Sequence, residues 1–323
     1  MKVETVLVTG GSGFLGGALL RHLESCGQYT LIAALRKECA SLPQSIRRFL
    51  FADLNADVDW QDALEQVDVV VHSAARVHVM DEAAVDPLAE FRRVNVDATL
   101  NLARQAANAG VKRFIYISSI KVNGESTPPG VPFTADDVPA PVDPYGISKL
   151  EAETGLKALA TSNGMEVVII RPVLVYGAGV KANFLSMIRW LRRSVPLPFG
   201  AVHNKRSLVC LDNLIDFIEK CLAHPAAANQ TFLVSDGHDV STTELLRSLS
   251  AALNKRSMLL PLPVSLMSAA AKLLGRKAVA QRIFGSLEVD ISKNQRLLGW
   301  VPPVSFPRAL DATVKPFLDA QRK

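Results

Sequence analysis

Cysteine is scarce in this chain and unpaired. The four residues, at 26, 39, 210 and 221, form no C-x-x-C pair. Neither a disulfide framework nor a thiolate metal site organises the fold. The six histidines stand singly, with no H-E-x-x-H or similar cluster, so no metal site is expected. His72 ends an apolar run and suits a structural or cofactor-loop residue better than a ligand. There is no internal repeat and no low-complexity linker. Basic residues share no common stripe: Arg47-Arg48, Arg92-Arg93 and Arg192-Arg193 are scattered doublets. The formal charge of +5 and the pI near 9.0 therefore do not indicate nucleic-acid binding. No apolar run reaches membrane length. Residues 258–274 come nearest, but Pro261, Pro263 and Lys272 interrupt them, which suits a hydrophobic surface or a dimer contact. The N-terminus runs directly into a strand-like segment with no secretory signal, and a cytoplasmic location is expected.

What is present is a core-forming chain. It has 323 residues, 49% of them hydrophobic, and a mean hydropathy of +0.19, enough for a large α/β domain with a smaller appended one. Strand-like runs at 3–9, 29–35, 46–52, 67–72, 112–118 and 166–171 alternate with helical patterns. One helix spans about 87–109, opened by Asp86-Pro87 and closed near Gly110. The alternation predicts a parallel sheet covered on both faces, a doubly wound Rossmann arrangement. After Arg171-Pro172 longer helical segments broken by prolines follow, predicting a smaller, mainly helical C-terminal lobe. One strand–helix unit at about 206–235 is expected to return to the main sheet.

The first strand runs into Gly10-Gly11-Ser12-Gly13-Phe14-Leu15-Gly16 and then into a helical pattern. Glycines spaced G-x-x-G-x-x-G between strand and helix fit a dinucleotide site. Gly10 permits the tight turn, Gly13 lets backbone approach a pyrophosphate, and Gly16 lets helix and strand pack closely. The pyrophosphate would sit on the helix N-terminus, whose free N–H groups and dipole favour an anion. The second strand ends in Arg36-Lys37, with no acid at its tip. Arginine suits a ribose 2′-phosphate, which points to NADP(H); stacking of Arg36 on adenine would equally allow NAD(H).

Tyr145 and Lys149 stand four apart on a helical pattern, so their side chains share one face. An ammonium beside a phenol favours the phenolate, which would let the tyrosine exchange protons nearer neutral pH. Ser118 and Ser119 close the strand-like run before it. Serine, tyrosine and lysine together can polarise a carbonyl or alcohol.

With these residues the chain resembles the extended short-chain dehydrogenase/reductase family, in its nucleotide-sugar epimerase/dehydratase branch. The marks are Thr9 to Gly16, Asp53-Leu54, His72-Ser73-Ala74-Ala75, Asn95, Ser118-Ser119, Tyr145-x-x-x-Lys149, and Arg171-Pro172 with Val175-Tyr176-Gly177. The resemblance implies a dinucleotide-binding domain of 1–172 and 206–235, with a nucleotide-sugar-binding lobe of 173–205 and 236–323. It implies Ser119, Tyr145 and Lys149 as the catalytic set. Cofactor contacts would come from Gly10, Ser12, Gly13, Phe14, Leu15, Gly16, Arg36, Asp53 and Leu54. Ala74, Ala75, Arg76, Asn95, Ser118 and Pro172 would join Tyr145 and Lys149 on the same cofactor. Ser119, Lys121, Asn183 and Arg206 would meet a UDP-sugar, although Asn183 and Arg206 would also serve as surface residues. A homodimer through the helices near 87–109 and 145–162 is implied as well.

The resemblance leaves the reaction open. A 4,6-dehydratase carries an Asp-Glu pair after the serine, where this chain has Ile120 and Lys121. Reduction of a 4-keto sugar and epimerisation at C4 remain. Arg36-Lys37 favours the reductase. So does a closer likeness of 75–80 and 119–124 to bacterial O-antigen enzymes that reduce UDP-4-keto-6-deoxy-N-acetylglucosamine, whose relatives are often labelled UDP-glucose 4-epimerase. The alternative is a 4-epimerase holding NAD tightly.

Overall fold

The computed structural model describes residues 3–77, 86–180 and 182–319. The run 78–80, which carried part of the closer likeness, lies outside them. Its first half alternates strands and helices: β1 (Thr5–Thr9), α1 (Phe14–Cys26), β2 (Thr30–Leu35), β3 (Arg47–Leu50), α2 (Gln61–Leu64), β4 (Val69–His72), α3 (Pro87–Arg92), α4 (Ala98–Asn108), β5 (Arg113–Ile117), α5 (Pro144–Asn163) and β6 (Glu166–Pro172). There follow β7 (Leu174–Tyr176), α6 (Ala182–Arg192), β8 (Arg206–Cys210), α7 (Leu211–Ala223), β9 (Thr231–Val234) and β10 (Asp239–Val240). Then come α8 (Thr242–Ala252), α9 (Val264–Leu273), α10 (Lys277–Phe284), α11 (Ser292–Leu298) and α12 (Phe306–Asp319).

Seven strands form one parallel sheet in the order β3-β2-β1-β4-β5-β6-β9. The order reverses between β1 and β4, and in such sheets ligands bind outside the carboxyl ends at that reversal. Apart from the edge strand β3, whose Arg47 and Leu50 are exposed, the strands are buried on both faces, which is why they read as continuous apolar runs. Val6 and Val8 of β1 look toward Leu19, Leu20 and Leu23 of α1 and Phe217 and Ile218 of α7. Leu7, one residue out of phase, belongs to the opposite layer with Leu102 and Ala106 of α4 and Ala152 and Leu156 of α5.

A smaller sheet, β10-β8-β7, carries a third core with Phe184, Ile188, Leu246, Leu249 and Leu310. The unit at 206–235 is thus divided. β8 pairs with β7 and β10, while β9 adds to the free edge of β6 in the main sheet. Local pattern predicts that a strand forms; which edge it joins depends on partners far along the chain. The helix at 87–109 also differs from expectation. It is broken by a π-helical turn, Arg93–Asp97, between α3 and α4. Such turns re-aim side chains and recur at functional sites; this one carries Asn95, which is fully buried.

Candidate active site

The glycine loop fills the space above β1 so tightly that side chains are shut out. Gly10 has φ +72°, and a Cβ there would lie 2.9 Å from the Ala74 amide nitrogen. A Cβ on Gly16 would stand 2.4 Å from the Gly10 carbonyl oxygen. Gly13 stands at the N-terminal cap of α1 and offers no side-chain cap, and there is no acidic residue in the first turn. The first amides of α1 are therefore left for an outside acceptor, with Ser12 and Gly13 exposed beside them. A dinucleotide's pyrophosphate fits this cradle. Ser73 closes its back by donating its hydroxyl to the Thr9 carbonyl at 2.6 Å, and the Ala74 amide donates to the Thr9 hydroxyl at 3.2 Å.

Tyr145, Ser119 and Lys149 meet at the carboxyl end of β5. Asp143 caps α5 by accepting from the Gly146 amide at 2.7 Å, and Pro144 opens the first turn, which fixes where Tyr145 emerges. A Cβ on Gly146 would lie 2.8 Å from the Lys121 carbonyl oxygen, so the short turn Ile120–Val122 sits directly against this helix end. Tyr145 keeps part of its surface open, but its phenol oxygen lies deep and shares a hydrogen bond with Ser119. Burial pushes the phenol above its ordinary range and the Asp143 carboxylate adds to this, while the Ser119 bond pulls the other way. Lys149 is buried, donates to the Ile117 carbonyl at 2.8 Å and sits 5.9 Å from the Tyr145 ring centre. Burial pulls it down to about 7, opposed by Glu153.

These values correct one expectation. The four-residue spacing does bring Lys149 near the tyrosine, but the phenol is not held below its usual range. A group out of water titrates later, and a lysine that itself loses its charge near neutral pH does little to reverse that.

Beneath the three lies a buried network that was not predicted. Arg171 donates to both Glu153 carboxylate oxygens, at 2.9 and 2.5 Å, and to Asn123 at 2.9 Å. Ser118 donates to Glu153 at 2.5 Å. Glu153 follows Lys149 by four residues, as Lys149 follows Tyr145, so one stripe of α5 carries all three. That spacing was the available signal. Asn95 donates to the Ser148 hydroxyl at 3.0 Å and to the Arg76 carbonyl at 3.0 Å, and accepts from the Arg76 amide at 2.9 Å. It thereby pins the strand-end loop of Ala74, Ala75 and Arg76 to α5. His72 is similarly structural: Thr9 and Thr99 flank its ring at 2.8 and 2.9 Å, and burial lowers it to about 3, so it stays neutral.

The remaining predicted residues fall on two sides. Arg36 ends exposed just past β2, and Leu54 is buried beside the layer containing Ala34. Asp53 is exposed and accepts from Arg93 at 2.9 Å, and that guanidinium holds its carboxyl below the usual range. Arg93 was not predicted, because 40 residues separate the partners. Pro172 closes β6. Lys121 is paired with Asp143 and with Glu125 at 3.4 Å. Arg206, half-buried on β8, donates to the Gly285 carbonyl at 3.1 Å, and burial pulls its guanidinium down. No carboxylate among the described residues pairs with it. Asn183 stands in the first turn of α6, its side chain outside what is described.

Away from this site, the ligand atoms of His22, Cys26 and Glu219 lie within 4.8 Å of one another. The 2.6 Å contact of His22 with Glu219 ties α1 to α7, and burial keeps the Cys26 thiol protonated by raising it.

A model of the NAD dependent epimerase/dehydratase family matches residues 6–235. A protein of Vibrio cholerae named UDP-glucose 4-epimerase is 48% identical over 321 residues, 99% of this chain and 97% of that protein. An Escherichia coli O157:H7 protein named N-acetyl-alpha-D-glucosaminyl-diphospho-ditrans,octacis-undecaprenol 4-epimerase is 28% identical, over 97% of this chain and 95% of its own. Among solved structures, UDP-glucuronic acid 4-epimerase from Bacillus cereus in complex with NAD overlays with a TM-score of 0.79 at 21% identity, covering 99% of this chain and 100% of that one.

Proposed function

Because the chain belongs to the NAD dependent epimerase/dehydratase family, with NAD(H) or NADP(H) as its cofactor, we propose that it inverts C4 of a UDP-hexose. The observation that carries this reading is its likeness, across nearly its whole length, to the Vibrio cholerae 4-epimerase. Arg206, a half-buried cation with no carboxylate partner among the described residues, suits the diphosphate of such a substrate. Asn183 and Lys121 would stand beside it.

In this proposal the dinucleotide, when bound, would supply a reversible hydride acceptor for C4. Tyr145 takes the proton from O4 and gives it back, with Ser119 holding the same oxygen by a hydrogen bond. Lys149 lies buried beside the phenol, where an ammonium would steady a phenolate, and Glu153 with Arg171 fixes α5 so that tyrosine and lysine keep their places. The cradle at Gly10, Gly13 and Gly16 would hold the pyrophosphate. Dehydration is disfavoured, since Ile120 is buried and Lys121 is an ammonium where an acid pair would be needed.

A second reading, reduction of a UDP-4-keto-6-deoxy-N-acetylhexosamine, is favoured by Arg36 at the end of β2 and by the raised phenol. A phenol that rests protonated is ready to donate to a carbonyl oxygen. The two readings separate in one experiment. Purified protein is denatured and its nucleotide released, and the intact enzyme is incubated with UDP-glucose or UDP-N-acetylglucosamine alone. Retained NAD⁺ and conversion to the C4 epimer without added cofactor support the epimerase. Empty protein that consumes NADPH only with a 4-keto UDP-sugar overturns it in favour of the reductase. A homodimer through α4 and α5 is proposed as well, and light scattering tests it.

A further inference from the structure

From Glu244 to Glu288 the chain carries no acidic residue, yet seven basic ones lie between them. As the whole chain has a formal charge of +5, acidic residues outnumber basic ones in the rest of it. The positive excess of this protein is therefore local to one stretch.

Past α8, whose leucines belong to the third core, part of the same stretch is apolar and uncovered. α9 buries none of its residues. Leu266 is 61% exposed and Leu273 88%, and Leu274, just past the helix, is 76% exposed. In the loop ahead of α9, Met258, Leu260 and Leu262 are exposed too. That loop is tied back to 197 by two hydrogen bonds, Leu197 amide to Met258 carbonyl at 2.9 Å and Leu260 amide to Leu197 carbonyl at 2.8 Å. On the segment leading into this pairing, Trp190 and Val195 are exposed as well. α9 packs against α10, and cations frame the pair. Lys255 and Arg256 precede the loop, Lys272 and Arg276 bracket the two leucines at the tip, and Arg282 follows, all exposed.

Three other cores are well filled, so this surface is not a shortage of packing partners elsewhere. Charge selects what covers it. A second copy joined by a twofold axis would set the patch against itself, basic rim against basic rim. An anionic bilayer surface complements both properties at once. Leucines enter the headgroup boundary, a tryptophan suits that depth, and long cationic side chains reach phosphates.

We propose that the loop at 255–263 with α9 and α10 is a docking surface for an anionic lipid bilayer, holding the protein peripherally. No described helix is long and apolar enough to cross one. α10 leads directly to Gly285, whose carbonyl takes Arg206, so docking would bring that end of the smaller lobe to the membrane.

The test is co-sedimentation of the full chain with two kinds of vesicle. One is phosphatidylethanolamine with phosphatidylglycerol, the other phosphatidylcholine alone. Binding is expected to the first only, and to fall away near 1 M salt, where the screening length is about 3 Å. Lys272→Gln with Arg276→Gln should weaken it by about fivefold per cation removed. Leu273→Ser with Leu274→Ser should weaken it at unchanged charge, and circular dichroism melts of both variants should match the parent. No sedimentation with anionic vesicles, or equal sedimentation with both kinds, overturns the proposal. So would a leucine variant that keeps lipid binding but changes from dimer to monomer by light scattering, since a second copy would then cover the face.

Discussion

The ammonium of Lys121 is paired with the carboxylate of Asp143, which caps the helix carrying Tyr145. Asp143 raises the phenol's pKa, and Lys121 offsets that charge from the adjoining turn. In Lys121→Met the phenol should titrate higher still. The acidic limb of kcat against pH would move alkaline by about one unit, a roughly tenfold loss at neutral pH. Adding Asp143→Asn should move the limb back. Superimposable profiles for parent and Lys121→Met would show that the pair is only a surface clamp.

Tyr145→Phe removes the proton carrier and leaves the ring against Phe91, 6.0 Å away, in place. Turnover should fall by about 10²–10⁴-fold, with cofactor still stabilising the fold in thermal shift. A near-normal rate would take the tyrosine out of the mechanism.

The local parts of this site were readable in the sequence, and the relational parts were not. Gly10, Gly13 and Gly16 announce their turn because strand, loop and helix are contiguous. Tyr145 and Lys149 share a face because helical spacing is fixed. Depth is another matter: nothing in a four-residue spacing says how much water reaches the phenol, so the direction of its shift does not follow from spacing. Asp53 and Arg93 meet only because the π-helical turn brings Arg93 to the end of the sheet. β8 has a strand's composition, yet its placement in the small sheet depends on β7 and β10. The basic stretch 245–287 is marked by missing acids and not by clustered basic doublets, so doublets alone do not reveal it.

Glu153 and Arg171 form a bidentate pair, both almost wholly buried. Removing one partner strands the other charge. Glu153→Gln or Arg171→Met alone should cost about 3–5 kcal/mol in chemical denaturation. Replacing both, Glu153→Leu with Arg171→Met, should recover much of that loss but not activity, because α5 then loses its anchor under Lys149. Additive losses in the double variant would contradict the pairing as the source of the cost.

Gly16→Ala puts a methyl within 2.4 Å of the Gly10 carbonyl, and backbone rather than a flexible side chain is what must move. Stabilisation by added NAD⁺ or NADPH in thermal shift should disappear. Gly110→Ala, at a positive-φ position but in open space, should lower the melting temperature and leave the cofactor response intact. An unchanged response in Gly16→Ala would remove the glycine cradle from cofactor binding.

Lys149 supplies a pH signature independent of activity. Its folded pKa is pulled down to about 7 from 10.5 by burial. Between those values the unfolded chain binds a proton that the folded one does not, so this group makes stability rise with pH across that window. Below about pH 7 lysine is charged in both states, and the folded protein carries the full cost of a buried ammonium. Lys149→Met has no such cost, though it gives up the hydrogen bond to the Ile117 carbonyl. The variant's stability relative to the parent should therefore be greatest at or below pH 7 and decline as pH rises toward 10.5. Titrating groups that do not feel Lys149 cancel in the difference, and His72, which does, stays neutral across this window. Denaturation of both at several pH values measures it, and a difference that stays flat across the window would mean that Lys149 keeps its charge in the folded protein.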